Sequence, residues 1–183
     1  MRITGGKYRG RIVLVPKGGL EIRPAMDRMR ESVFAALGDL SGLSFLDLFS
    51  GSGIIALEAA SRGASPVTCV EKDPVKFATL LRNVSMADER IECKSIPAER
   101  YLLRNKTGFS IVFLDPPFPY RHRAQLLSSL AEAPSASPGG LVLLHFPAED
   151  PPLSAIGALT VEDEREYGRS RVRFYRKSRA PSA

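Results

Sequence analysis

The chain has 183 residues, 44% of them hydrophobic and 25% charged, which is the composition of an ordinary globular protein with enough chain for a substantial core. No uninterrupted apolar run approaches bilayer length, and the opening Met1-Arg2-Ile3-Thr4-Gly5-Gly6 lacks the apolar stretch of a signal peptide, so a membrane span is excluded and a cytoplasmic location is expected. The formal net charge of +6 is carried by the two ends: residues 1–30 hold eight Lys/Arg against two acids, residues 165–183 hold seven against one, and the middle is net acidic, a distribution that predicts contact of both ends with a polyanion such as nucleic acid.

In chain order, residues 2–4 and 11–16 are expected to pair as a hairpin across Gly5-Gly6-Lys7-Tyr8-Arg9-Gly10. Pro24 then opens a helix to about Leu37, ended by Gly38, with Met26, Met29, Val33 and Leu37 at core-facing spacing. From residue 44 onward, strand-like runs at 44–48, 66–70, 91–94, 110–114 and 140–146 alternate with helical stretches at 53–62, 75–86 (after Pro74), 98–104 and 122–133. This βαβ progression predicts a largely parallel sheet. Residues 134–139 read as a linker, and after a loop at 147–152 the runs 159–162 and 171–177 predict a hairpin joined by the polar stretch 163–170. In the last run Val172 and Phe174 share one face, which places Arg171, Arg173 and Tyr175 on the outer face or edge. Cys69 and Cys93 lack CxxC spacing and nearby histidines, so they are expected in the core and no metal site is predicted. The organisation anticipated is an N-terminal extension over 1–40, hairpin plus helix, followed by an α/β domain over 41–183.

Two constellations carry chemistry. In the first, Phe45-Leu46-Asp47-Leu48-Phe49-Ser50-Gly51-Ser52-Gly53 runs from a strand into a glycine turn at a helix N-terminus. Gly51 and Gly53 remove Cβ atoms where a ligand would approach the backbone, and Glu71, at the end of the next strand, is placed to hold two ribose hydroxyls. The same residues satisfy a dinucleotide fingerprint, Gly51-x-Gly53-x-x-Ala56 followed by Glu71, so the glycines do not separate a nicotinamide cofactor from a nucleoside one. Asp47 tilts the choice, since a carboxylate before the turn attracts an ammonium group and repels a pyrophosphate. Ser50 and Ala98 complete the cofactor set.

The second constellation is Asp115-Pro116-Pro117-Phe118 at the tip of a buried strand. Adjacent prolines fix two φ angles and remove two N–H donors, so the turn offers carbonyl acceptors beside a carboxylate and an aromatic face. An exocyclic amine could give one hydrogen to Asp115 and another to a prolyl carbonyl while Phe118 stacks on its ring.

Together these motifs make the chain resemble the class I S-adenosylmethionine-dependent methyltransferases that modify exocyclic amines. Within them it is similar to the bacterial RsmD family, in Ile3-Thr4-Gly5-Gly6-Lys7-Tyr8-Arg9-Gly10-Arg11, Arg23-Pro24, Asp27-Arg28-Met29-Arg30-Glu31, Leu57-Glu58-Ala59, Ser61-Arg62-Gly63-Ala64 and Glu71-Lys72-Asp73 as well as in the two motifs above. The resemblance implies a Rossmann-like fold, with a seven-stranded mostly parallel sheet ending in an antiparallel hairpin strand. It also implies S-adenosylmethionine as cofactor and methyl transfer to the N2 amine of a guanine in small-subunit ribosomal RNA, free or within a ribosomal subunit or assembly intermediate. Two positions depart from the family pattern: Ala25 replaces the usual Thr, and His145-Phe146-Pro147 stands where an acidic residue is common. For RNA contact the basic residues singled out are Lys7, Arg9, Arg11 and Arg28 near the extension and Arg121 and Arg123 beside the acceptor loop, with His122 as a solvated loop histidine. The competing readings are a DNA adenine or cytosine amino-methyltransferase and a non-catalytic RNA-binding or assembly protein with a vestigial cofactor pocket.

Overall fold

The computed structural model describes residues 1–16 and 24–179, with the backbone alone at 24 and 25. Arg23 and the side chain of Ala25 therefore lie outside the described residues. The chain forms two compact units, residues 1–98 and 99–183.

In the first unit, the amino-terminal arm is held by one antiparallel bridge, Arg2 to Ile12, and by backbone bonds from Ile3 to Arg11 (3.1 Å) and Gly10 to Ile3 (2.8 Å). It is followed by α1 (Pro24–Leu37), β1 (Phe45–Leu48), α2 (Ile54–Ser61), β2 (Val67–Val70), α3 (Pro74–Val84) and β3 (Ile91–Lys94). The strands lie parallel in the order β3-β2-β1. Every residue of β1 and β2 is buried, which is why these strands are continuously apolar rather than alternating. Pro74 opens α3 as expected, and the Asp73 carboxylate caps it by accepting the Val75 and Lys76 N–H groups. Those bonds hold the Asp73 pKa below its ordinary value.

The buried stripe of α1 is Met29, Arg30, Val33 and Phe34, not the expected Met26-Met29-Val33-Leu37; Met26 and Leu37 are only half-buried. The stripe rotates because Arg30 is drawn inward by Glu58 of α2. Glu58 is fully buried. Its Oε1 accepts from Arg30 Nε (2.8 Å) and Thr4 N (2.8 Å), and its Oε2 accepts from Thr4 Oγ1 (3.0 Å) and from Arg62 Nη1. Arg30 continues the network to Asp27 and to the carbonyl of Arg2, and the Arg62 guanidinium lies over the Phe34 ring. Phe34 in turn stacks on Phe45 of β1, with 6.2 Å between centroids. A buried carboxylate satisfied on both oxygens thus ties the arm, α1 and α2 together.

The second unit holds β4 (Phe109–Leu114), α5 (Arg123–Glu132), β5 (Ala136–Pro147), β6 (Ala155–Ile156), β7 (Leu159–Tyr167) and β8 (Ser170–Lys177). The helix α4 (Ala98–Arg104) precedes β4. β4 and β5 are parallel, and the order continues β5-β8-β7-β6 through antiparallel pairs. Among the described residues the strands number eight, the addition to the expected seven being the two-residue β6.

Three details differ from the sequence reading. The stretch 134–139 is only partly a linker, because β5 begins at Ala136, paired with Phe109 across a bulge that absorbs the glycines. The polar stretch 163–170 is mostly strand: β7 runs to Tyr167 because its acids face arginines of β8, with Arg171 bonded to Glu164 and Glu166 and Arg173 bonded to Glu164. Finally, Arg173 and Tyr175 are buried rather than outward, since they bond to the carbonyls of Pro152 and Leu153, so the segment after β5 covers that face. Lys177 is buried too and donates to the Leu130 and Ala133 carbonyls at the end of α5; desolvation lowers its pKa. No helix among the described residues is long and apolar enough to cross a membrane.

Replacing Glu58 with Ala would take from Arg30, whose side chain is 4% exposed, its buried partner and leave it only the half-exposed Asp27. The expected cost is about 3–5 kcal/mol of unfolding free energy. Urea unfolding checks it, and faster amide exchange at Thr4 should accompany the loss.

Candidate active site

The cofactor residues named from sequence lie in the first unit. Asp47 is buried (1% exposed) within β1, and the chain then turns through Phe49, a non-glycine residue at φ 66°, into Gly51 at 55° and Gly53 at 79°. Left-handed backbone at Phe49 is uncommon and costly, and such strain is characteristic of functional turns. Ser50 is the brace of this turn: its hydroxyl donates to the Asp47 carbonyl (2.8 Å) and accepts the Val70 N–H (3.0 Å), which leaves one acceptor lone pair. Glu71, 7% exposed at the end of β2, accepts the Gly51 N–H on Oε2 (2.9 Å) and the Asp73 N–H on Oε1 (2.8 Å). The Gly51 N–H is therefore committed to Glu71 and does not serve as a donor to a ligand.

The two glycines have different reasons. A Cβ on Gly53 would sit 2.4 Å from Leu80 Cδ1, so this glycine permits α3 to pack against the turn. A Cβ on Gly51 would meet only the Phe49 carbonyl, at 3.9 Å, and otherwise open space, which makes Gly51 the place where a ligand can come close. Ala98 is buried at the first turn of α4. This residue set fits S-adenosylmethionine. Each oxygen of Glu71 keeps a second acceptor lone pair for a ribose hydroxyl, and the buried carboxylate of Asp47 suits an ammonium group.

The acceptor residues lie in the second unit. Asp115 follows β4 directly, with its side chain 26% exposed. Pro116 is buried, while Pro117 and Phe118 are exposed. The Pro117 carbonyl accepts the Tyr120 N–H (2.8 Å) and the Phe118 carbonyl accepts Arg123 Nη1 (3.0 Å). Both are spoken for, which leaves the Pro116 carbonyl as the prolyl acceptor. Tyr120 bonds through its hydroxyl to Glu99, so the loop is clamped at both ends; burial, with the Glu99 carboxylate adding to it, pushes the Tyr120 pKa well up.

One neighbour was not anticipated. His145 Nδ1 is 2.7 Å from Asp115 Oδ1, and its ring meets Phe118 edge-on with 5.5 Å between centroids. The register explains the meeting, because Leu114 and Leu144 are partners across parallel β4 and β5, so the next residue on each strand is Asp115 and His145. The sequence carried the signal in the matching ends of two apolar runs, but the register was needed to use it.

The basic residues separate into two groups. Arg9, Arg28 and Arg121 are exposed. Lys7 and Arg11 are exposed too but engaged within the protein: Lys7 pairs with Asp88 (2.8 Å) and Glu89 (3.2 Å), and Arg11 stacks on the buried Tyr8 and donates to the Met86 carbonyl. Arg123 is buried, bonded to Phe118 and Asp150, and acts as a loop support. His122 is exposed beside Tyr120.

A parallel α/β core, a glycine turn between two strand-end carboxylates and a Asp-Pro-Pro-Phe loop define a methyltransferase with the Rossmann-like fold of class I. The chain belongs to the ribosomal RNA small subunit methyltransferase D family, whose model, described as conserved hypothetical protein 95, matches residues 1–176. The putative rRNA methyltransferase YlbH of Bacillus subtilis is 30% identical over 97% of this chain and 99% of its own length. Ribosomal RNA small subunit methyltransferase D of Haemophilus influenzae is 33% identical over 96% and 93%. Among solved structures, the putative methyltransferase yhhF from Escherichia coli superposes with a TM-score of 0.88 at 29% identity, covering 98% of this chain and 99% of that one.

Alanine at either turn glycine should incur roughly 1–2 kcal/mol of left-handed backbone strain. Only Gly53→Ala adds the collision with Leu80. Its urea midpoint should therefore fall below that of Gly51→Ala, whereas Gly51→Ala should show the weaker S-adenosylmethionine binding for its loss of stability, as calorimetry would measure.

Proposed function

We propose that this chain transfers a methyl group from S-adenosylmethionine to the exocyclic N2 amine of a guanine in small-subunit ribosomal RNA, in the cytoplasm, with free RNA, the small subunit or an assembly intermediate as its partner. The observation that carries the proposal is the clamped Asp115-Pro116-Pro117-Phe118 loop, which presents a carboxylate, one uncommitted prolyl carbonyl and a 41% exposed aromatic side chain next to one another. The family membership and the names of the relatives support the RNA substrate.

Asp47 would hold the cofactor's ammonium group, Glu71 its ribose hydroxyls, and the open side of Gly51 would let it approach the backbone. When bound, the cofactor supplies a sulfonium methyl, a strong electrophile. The guanine amine is a weak nucleophile because its lone pair is delocalised into the ring, so the protein's task is orientation and polarisation. Asp115 would accept one amine hydrogen and the Pro116 carbonyl the other, directing the nitrogen lone pair and stabilising charge that develops on it. The N–C bond would form as the S–CH3 bond breaks, leaving S-adenosyl-L-homocysteine, and the methylated ammonium, a strong acid, would then give its proton to the Asp115 carboxylate or to water. Phe118 would stack on the base, which must first leave its helix or lie in a loop. Of the basic residues singled out from the sequence, Arg9, Arg28 and Arg121 would meet the RNA backbone.

Asp115→Ala is expected to lower methyl transfer by about 10²–10⁴-fold while S-adenosylmethionine binding persists. Radiolabelled cofactor offered with ribosomal RNA, small subunits and DNA, followed by nucleoside digestion, tests both this and the substrate: label in N2-methylguanosine from RNA is expected, and label in DNA or undiminished transfer by the variant would refute the proposal. Phe118→Ala should weaken RNA affinity by roughly 1–3 kcal/mol, about 5- to 150-fold, with cofactor affinity unchanged.

A further inference from the structure

Resting on the methyl-transfer reading above, we infer that His145 is a positioning residue for Asp115: its Nδ1–H holds Oδ1 of the carboxylate and so leaves Oδ2 as the acceptor presented to the amine. The pair is close, at 2.7 Å, and unequal in environment, with the imidazole side chain 5% exposed and the carboxylate 26% exposed. An ionised carboxylate can only accept, so a bond of this length places the imidazole proton on Nδ1. In the neutral ring Nε2 is then the acceptor nitrogen, and among the described residues it is buried without a hydrogen-bond partner. A histidine retained only as core filler would have no reason to keep one nitrogen unsatisfied in order to aim the other at a strand-end aspartate. The cost of the unpaired Nε2 is borne to keep the Asp115 bond.

Three constraints fix where the ring can go. His145 sits within the β5–β8 ladder opposite Val172, it follows Leu144, whose β4 partner Leu114 immediately precedes Asp115, and its ring is met edge-on by Phe118. The imidazole therefore touches two of the three groups proposed to receive the base: the carboxylate through a hydrogen bond and the aromatic through a ring contact. Without it, Asp115 would be free to rotate about its side-chain torsions, and either oxygen could face the amine. With Oδ1 held, one acceptor direction remains, to be matched with the Pro116 carbonyl. This is orientation of the kind on which a weak nucleophile depends most.

Two measurements test the inference. The chain has two histidines, so long-range ¹H–¹⁵N correlation of the imidazoles, with His122→Gln to assign the spectrum, reads the His145 tautomer directly in the intact protein. The Nδ1–H form is expected, shifting toward the Nε2–H form in Asp115→Ala; an Nε2–H form in the wild type, or an Nδ1–H form indifferent to Asp115→Ala, overturns the pair. In methyl-transfer kinetics, His145→Leu should lower kcat by roughly 10- to 100-fold with little change in KM for cofactor or RNA. His145→Asn, smaller than either side chain but able to set an amide N–H where Nδ1–H stands, should recover most of it. Equal rates for the Leu and Asn variants in an active protein would assign His145 to packing alone. An inactive wild type that still shows the Asp115-dependent tautomer would instead overturn the methyl-transfer reading, and the positioning role with it.

Discussion

A single buried carboxylate organises the amino-terminal half of this protein. Glu58 has no exposed surface, and it accepts hydrogen bonds from an amide and a hydroxyl of Thr4 and from the guanidinium groups of Arg30 and Arg62. An ionised group in that position is tolerable only when both oxygens are fully engaged. The network therefore fixes the arm, the first helix and α2 as a set, and α2 is the helix whose start forms the glycine turn. The rotation of α1 that buries Arg30 and Phe34, and the stacking of Phe34 on β1, follow from the same demand. Glu58 is the position that cannot change alone: a neutral residue there takes a buried partner from both Arg30 and Arg62, whereas loss of Arg62 still leaves Glu58 paired with Arg30.

The second unit solves a different problem with similar means. Its strand-end aspartate is held by a histidine, the carbonyls that follow are consumed by Tyr120 and Arg123, and Arg123 is itself tied to Asp150. What is left uncommitted is small: one prolyl carbonyl, one carboxylate oxygen and an aromatic face. The loop owes its shape to proline φ restriction and to these bonds in comparable measure. The prolines set the turn locally, and the buried arginine and histidine set where it points.

Much of this was legible in the sequence. Alternating apolar runs and helix formers gave the βαβ order, and residue type alone singled out Asp47, the two glycines and Glu71 in the first unit and Asp115-Pro116-Pro117-Phe118 in the second. The failures share one cause, in that they concern partners that neither periodicity nor a motif announces. Arg123 looked like a solvent-facing base beside the loop because nothing local announced Asp150 or the Phe118 carbonyl. The stretch 163–170 looked like a polar connection because its glutamates are satisfied only by arginines on the returning strand. Counting charge by segment misled for the same reason. A cut at residue 165 assigned Glu162 and Glu164 to an acidic middle, although they lie against Arg176, Arg171 and Arg173 in space, so much of the basic carboxyl terminus is neutralised internally.

The burial of Tyr8 reaches beyond the fold. Tyr8 has no exposed surface, its hydroxyl bonds to Glu89 and accepts the Asp88 N–H, and Arg11 lies on its ring. The loop that displays Arg9 has thus surrendered its conformational freedom before any partner arrives. Binding through that loop incurs little further loss of chain entropy, so its association with a rigid partner should show none of the large negative heat-capacity change that accompanies folding on contact. The arm is better described as a fixed prong than as a flexible basic tail.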